Sequence, residues 1–271
     1  MMNEILKTYI SPDYNDLEKI INKFSKNYLS ASPFPHIVFK DFFNPDILNE
    51  VLNEFPDLSN NGNLYNKHIN SDKYASRGTN IFNSQISNFF SFLNSEVFLK
   101  FLKKLSSMER SLIPDPYFLG GGLHEIKRDG FLNIHADFNK HKDLGLDRRL
   151  NLLIYLNKNW KEEYGGHFEM WDEKMEKCRK KILPEFNTFV LFSSTSYSYH
   201  GHPSPLNCPL DRSRKSLALY YYTNGRPKEE IIHGIENHST LYQHKKNDKK
   251  LNVKKVLKEI TPPVLIKLFR R

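Results

Sequence analysis

Cysteine is scarce in this chain: only Cys178 and Cys208 in 271 residues, with no CxxC spacing. That argues against a disulfide framework or a cysteine-based zinc site, and leaves free thiols in a reducing compartment as the expectation. Long apolar runs are missing too, and no uncharged stretch approaches the length of a membrane span. The first residues, MMNEILKTYISPDYNDLEK, have no apolar leader core. No signal peptide is therefore expected, and the expected location is cytoplasmic. No internal repeat stands out.

What is present is a globular composition: 39% hydrophobic and 26% charged residues, with 20 Phe and 14 Tyr. A chain of this length can bury a substantial core, so one domain with extensions is expected. The net charge is +9, with pI near 9.3. Such a balance is compatible with nucleic acid, an anionic membrane or glycan, or an acidic substrate. Much of it is local, however. Lys245, Lys246, Lys249, Lys250, Lys254, Lys255 and Lys258 face only Asp248 between His244 and Lys258. A run of this kind reads as a solvated surface and gives no strong nucleic-acid signal. Val256, Leu257 and Ile260 lie opposite lysines in the same segment. That helix either packs on its own domain or makes a weak contact with an anionic surface.

Helical spacing of Leu17, Ile20, Ile21 and Phe24 predicts a helix over 14–29, with Asn15 as its cap. Two prolines in SASPFPHIVF break it, and 36–39 reads as a short strand. Residues 44–54 predict a helix with Pro45 in its first turn. Residues 57–80, rich in Asn, Ser, Asp and Gly, predict a long loop. Residues 84–106 predict one or two amphipathic helices. From Tyr117 to Thr223 the texture becomes β: LHEIKR, FLNIHADF, LNLLIYLN, GHFEMW, NTFVLFS and KSLALYYYT, punctuated by Gly and Pro. Many short strands at this spacing predict a sandwich or barrel of antiparallel strands, such as a double-stranded β-helix (jelly roll). The expected organisation is an N-terminal helical support over 1–109, the β core over 110–225 and a basic helical extension over 226–271.

His135 and Asp137 stand two apart. On a strand they face the same way, so one short segment can offer two ligands to one metal. A third must come from another strand, and His200, directly after NTFVLFSS, is the choice; His202 is the competitor. Two imidazoles and one carboxylate can bind one face of an Fe(II) ion and leave the other positions open. A basic residue in a later apolar strand, Arg214, suits a dicarboxylate cosubstrate, because its planar fork binds a carboxylate with two charge-assisted hydrogen bonds. Ser216 shares the inward face of Arg214, and Asn151 and Tyr155 share a face of their own strand.

The ordered run GFLNIHADF, RRLNLLIYLNKNW, GGHFEMW, NTFVLFSSTSYSYHGHP and RSRKSLALYYYT resembles the Fe(II)/2-oxoglutarate-dependent dioxygenases of the prolyl-hydroxylase-like branch. The likeness spans roughly residues 120–225. It implies a double-stranded β-helix, iron ligands at His135, Asp137 and His200, and a cosubstrate carboxylate on Arg214 and Tyr155, with Ser216 and Asn151 as further candidate contacts. It also implies O2 as oxidant and ascorbate as a supporting reductant. The expected reaction converts 2-oxoglutarate to succinate and CO2 while hydroxylating an unactivated C–H bond. The substrate expected is a peptidyl residue such as proline, or a small metabolite or sugar-linked compound. Asp137 argues against the halogenase variant, in which a small residue replaces the carboxylate. Many members carry a Tyr shortly before HxD; here HEIKRDG places His124 and Lys127 there.

Other residues admit two readings. His167 lines the substrate pocket or is a half-buried structural histidine. Trp160 and Trp171 are core or rim packing, Trp171 being the one that could touch substrate. Arg148 and Arg149 bind an acidic substrate group or, more commonly, pair at the surface. Arg212, in the loop before the strand, ranks below Arg214. Two alternatives to the hydroxylase remain: a non-catalytic jelly-roll ligand-binding protein, and a nucleic-acid-directed oxygenase using the same iron site.

Overall fold

The computed structural model describes residues 2–59, 64–76, 78–231 and 237–243. In chain order its elements are α1 (Met2–Tyr9), α2 (Leu17–Ser30), β1 (His36–Lys40), α3 (Pro45–Asn53), β2 (Leu64–His68), β3 (Ser71–Ala75), α4 (Ser84–Leu93) and α5 (Glu96–Leu105). There follow β4 (Ile113–Pro114), β5 (Gly122–Lys127), β6 (Leu132–Ala136), β7 (Asp147–Tyr155), β8 (Phe168–Trp171), β9 (Cys178–Ile182), β10 (Thr188–Ser193), β11 (His200–His202), β12 (Ser213–Thr223) and β13 (Leu241–Tyr242).

The strands form one curled antiparallel sheet in the order β1-β10-β7-β12-β5-β3-β6-β11-β8-β9, consistent with a jelly-roll β-sandwich. Non-consecutive neighbours such as β10-β7-β12 bring distant sequence together. The long central strands β7 and β12 are buried nearly throughout, as expected for strands covered on both faces. Outside them lie the N-terminal helices. Ile20 and Ile21 of α2, Phe89 and Phe90 of α4, and Phe98 and Leu102 of α5 share one core with Leu152, Phe189 and Leu219 of the sheet. Helix α2 is capped by Asp16, whose side chain accepts from the Lys19 amide, rather than by the expected Asn15. Side chains of Asn83 and Ser95 cap α4 and α5, which divides the predicted 84–106 stretch into two helices.

Three expectations need revision. The 57–80 stretch is not a loop throughout: it contains the β2–β3 hairpin, and β3 is inserted between β5 and β6. The expected strands of the β core lack one: CRKKI forms β9. In the 226–271 extension, residues 241–242 form β13 on the edge of β6, while the basic helix expected further on lies outside the described residues. Among the described residues no helix is long and apolar enough to cross a membrane.

Candidate metal and cosubstrate site

Strand pairing brings the predicted ligands together. His135 on β6 stands directly opposite His200 on β11. The two strands can approach this closely because Gly201 separates the inward-facing histidines; a Cβ there would lie 2.7 Å from the Leu132 carbonyl oxygen and 2.8 Å from that of Asn133. His135 Nε2 lies 3.5 Å from Asp137 Oδ1, and His200 Nε2 lies 3.4 Å from Asp137 Oδ2. One donor atom from each of the three side chains falls within 4.8 Å of the other two.

Both imidazoles are oriented in the same way. His135 Nδ1 donates to the Asn133 carbonyl and His200 Nδ1 to the Ser198 carbonyl, each at 2.8 Å. With Nδ1 donating, the neutral form of such a ring turns an Nε2 lone pair toward the carboxylate. Two imidazole nitrogens and a carboxylate facing one another fit a cation, and a carbonyl anchoring the far nitrogen is what a metal-binding histidine requires. The donor set of two imidazoles and one carboxylate suits Fe(II).

The carboxylate is fixed from behind. Asp137 Oδ2 accepts from Arg148 Nη2 at 2.7 Å and from Asn151 Nδ2 at 3.1 Å. Burial alone would raise the Asp137 carboxyl, but Arg148, His200 and His135 outweigh it and hold it well below the usual carboxylate range. Arg148 is fully buried, with its guanidinium carbon 3.3 Å from the Tyr220 ring centroid and 4.6 Å from that of Phe138. Its expected place, at the surface or on substrate, is thereby corrected: stacking and one ion pair hold it inside. Arg149 is likewise buried, bonded to Glu230 and Thr223. Asn151 lines the same pocket, but its amide serves Asp137 rather than the Arg214 end, and among the described residues its Oδ1 has no partner.

Arg214 stands in the same pocket on β12. Its Nε donates to the Gly166 carbonyl at 2.9 Å and its Nη2 to Tyr155 Oη at 3.1 Å. Gly166 must be glycine: its φ is +72°, and a Cβ would meet Leu206 Cδ2 at 2.5 Å and Arg214 Cδ at 3.0 Å. Ser216 lies opposite both Tyr155 and His124 in the strand register and lines the pocket with them. Burial raises the Tyr155 phenol, with Arg214 opposing, so Tyr155 remains a hydrogen-bond donor at neutral pH.

One polar residue in the pocket, Lys73, escaped the sequence reading, and a second, His202, was read there only as the competing ligand. Burial lowers the Lys73 ammonium to about 8, against the attraction of Asp137. His202, the competing ligand, lines the pocket, and among the described residues neither of its ring nitrogens is partnered. Lys73 carried no sequence signal, because its orientation depends on β3 being a strand at all. The remaining candidates lie elsewhere. His167 pairs with Glu162 at 2.6 Å, Trp171 with Glu169 at 2.9 Å, and Trp160 with the Gly165 carbonyl at 3.0 Å. Arg212 bonds to the Lys158 carbonyl.

The buried histidines set a pH dependence. Burial pushes His200 down to about 4 and pushes His124 and His202 well below the imidazole range. In the unfolded chain each returns to about 6.5. Below that pH the unfolded state binds more protons, so the metal-free protein loses stability from about pH 6.5 toward pH 4. Each group contributes about 1.4 kcal/mol per pH unit where only the unfolded form is protonated. Urea denaturation at pH 7 and pH 5 should show this loss; equal midpoints would contradict it.

The sequence model of the 2OG-Fe(II) oxygenase superfamily matches residues 121–222. No curated protein matches the chain in sequence. Among solved structures, a Pseudomonas putida prolyl-4-hydroxylase is similar over 77% of this chain and 100% of its own, at 12% identity and TM-score 0.54. A 2OG-Fe(II) oxygenase family oxidoreductase from Burkholderia pseudomallei covers 76% of this chain and 90% of its own, at 10% identity and TM-score 0.50. A Phytophthora capsici prolyl 4-hydroxylase structure covers 77% and 65%, at 20% identity and TM-score 0.50. At these identities the likeness is one of fold.

Proposed function

We propose that this chain, whose residues 121–222 match the sequence model of the 2OG-Fe(II) oxygenase superfamily, is a 2-oxoglutarate-dependent hydroxylase. Its site would couple the conversion of 2-oxoglutarate and O2 to succinate and CO2 with conversion of a substrate C–H to C–OH. The substrate class is a peptidyl residue such as proline, or a small metabolite or sugar-linked compound. The observation that carries this reading is the convergence of His135, Asp137 and His200 in a pocket that also holds Arg214.

Fe(II) held by these three residues would supply the activation of O2 for C–H hydroxylation. The protein's own part is placement. His135 and His200 present lone pairs because the carbonyls of Asn133 and Ser198 hold their other nitrogens. Arg148 and Asn151 fix one carboxylate oxygen of Asp137 and leave the other toward His135. Arg214, steadied by Gly166 and Tyr155, offers the charge and the fork that a distal carboxylate of the cosubstrate needs. Leu153 and Phe168 supply apolar wall, which limits water at the reacting carbon.

The test is succinate formation from 2-oxoglutarate with Fe(II) and ascorbate, paired with metal titration of the wild type and of His135→Ala. The variant should bind Fe(II) or Mn(II) at least about 100-fold more weakly, exceeding the 10- to 100-fold typical for loss of a residue that only supports a ligand. Equal binding by the two proteins would remove the site assignment.

A further inference from the structure

Lys73 is not part of the segment matched by the oxygenase family, yet it lines the same pocket. It reaches the pocket because β3 is inserted between β5 and β6. Ala75 stands opposite His124 and Ser71 opposite Leu132, and both of those partners line the pocket. Strand alternation puts Lys73 on the face shared by Ser71 and Ala75. It is half-buried, and among the described residues its ammonium makes no hydrogen bond or ion pair.

His202 shares the inward face of β11 with His200 and is 3% exposed. Among the described residues neither of its ring nitrogens has a partner. Buried polar groups left unpaired are uncommon, because each gives up its hydration without compensation.

The charge inventory points the same way. Asp137 is the single carboxylate lining the pocket among the described residues. Against it stand Arg148, Arg214 and Lys73. A divalent ion and a dicarboxylate cosubstrate cancel one another, which leaves two positive charges in excess in a site of low dielectric. The cosubstrate would not need Lys73: Arg214 would match one of its carboxylates and the metal would hold the other.

We propose that Lys73, with His202 beside it, forms a subsite for an oxyanion carried by the substrate, a carboxylate or a phosphate. This rests on the oxygenase reading above and narrows its substrate class to acidic molecules or acidic peptide segments. Lys73 provides the charge, and His202 provides a hydrogen bond.

The experiment uses the full chain, loaded with Mn(II) and saturated with 2-oxoglutarate. Binding of matched probes is read from paramagnetic relaxation of their protons: N-acetylated amino acids against their amides, and methyl phosphate against methanol. The acid members should bind about tenfold more tightly than their neutral partners. Lys73→Met should bring that ratio near one, Lys73→Arg should keep most of it, and His202→Leu should reduce it about threefold. The cosubstrate KM in succinate formation should move by less than about threefold in Lys73→Met. A wild-type ratio near one would overturn the subsite, as would an unchanged ratio in Lys73→Met. A large rise in cosubstrate KM with the ratio kept would also overturn it, by assigning Lys73 to 2-oxoglutarate. Which anion wins separates carboxylate from phosphate chemistry. Failure of the wild type to bind Mn(II) or 2-oxoglutarate, seen before any probe is added, would instead bring down the oxygenase reading and the subsite with it.

Discussion

Asp137→Ala should abolish detectable succinate formation and, at the same time, destabilise the metal-free protein by about 3 kcal/mol. The two losses have different origins. The first follows from removing the only anionic donor among the three that converge, so affinity for a divalent ion should fall at least about 100-fold. The second follows from Arg148. Its guanidinium is fully buried, and Asp137 is its ion-pair partner. Removing one member of such a pair leaves an uncompensated charge, which typically costs about 3–5 kcal/mol. A double variant separates the effects. Asp137→Ala with Arg148→Met should regain most of the stability in urea denaturation and none of the metal binding. Asp137→Asn, which can still accept from Arg148 and Asn151, should lose metal binding with a smaller loss of stability. If Asp137→Ala titrates with Fe(II) or Mn(II) like the wild type, the metal site is elsewhere.

Arg214→Ala should raise the KM for 2-oxoglutarate by about 100- to 10,000-fold while changing metal affinity by less than about threefold. The size follows from two charge-assisted hydrogen bonds, each worth about 1.5–3 kcal/mol, at about 1.4 kcal/mol per decade. The selectivity follows from geometry: Arg214 bonds to Gly166 and Tyr155, and none of its bonds goes to His135, Asp137 or His200. Arg214→Lys keeps the charge but loses the fork and the contact with Tyr155, so it should recover only part of the affinity. A variant that loses metal binding but keeps its cosubstrate KM would refute this division of labour.

Much of the site was legible because its signals are local. The two-residue spacing of His135 and Asp137 needs only the knowledge that FLNIHADF is a strand, and its alternation says so. His200 and Arg214 were readable because each adjoins or sits in an apolar run of strand length. What escaped was set by tertiary contacts. Arg148 looks like any surface arginine in the string RRLNLL; the rings of Phe138 and Tyr220 and the carboxylate of Asp137 take it inside. The β2–β3 hairpin is polar enough to read as loop, and β3 is a strand because it pairs with β5 and β6 rather than because of its own propensity. Strand β9 escaped for a related reason: its exposed Arg179, Lys180 and Lys181 suit the outer strand of the sheet, where charge discourages pairing with another chain.

Strand β6 carries His135, and both of its edges are occupied. On one side it pairs with β11; on the other, β3 covers Leu132 while Leu241 and Tyr242 cover Ala136 and His135. The Tyr242 ring lies 5.4 Å from that of His135, and Ser196 anchors the same segment through His238 at 2.7 Å. An incoming peptide therefore finds no free backbone row on this strand to extend. Recognition by strand addition, a common way for sheet proteins to seize extended peptides, is closed here unless residues 241–242 are first displaced.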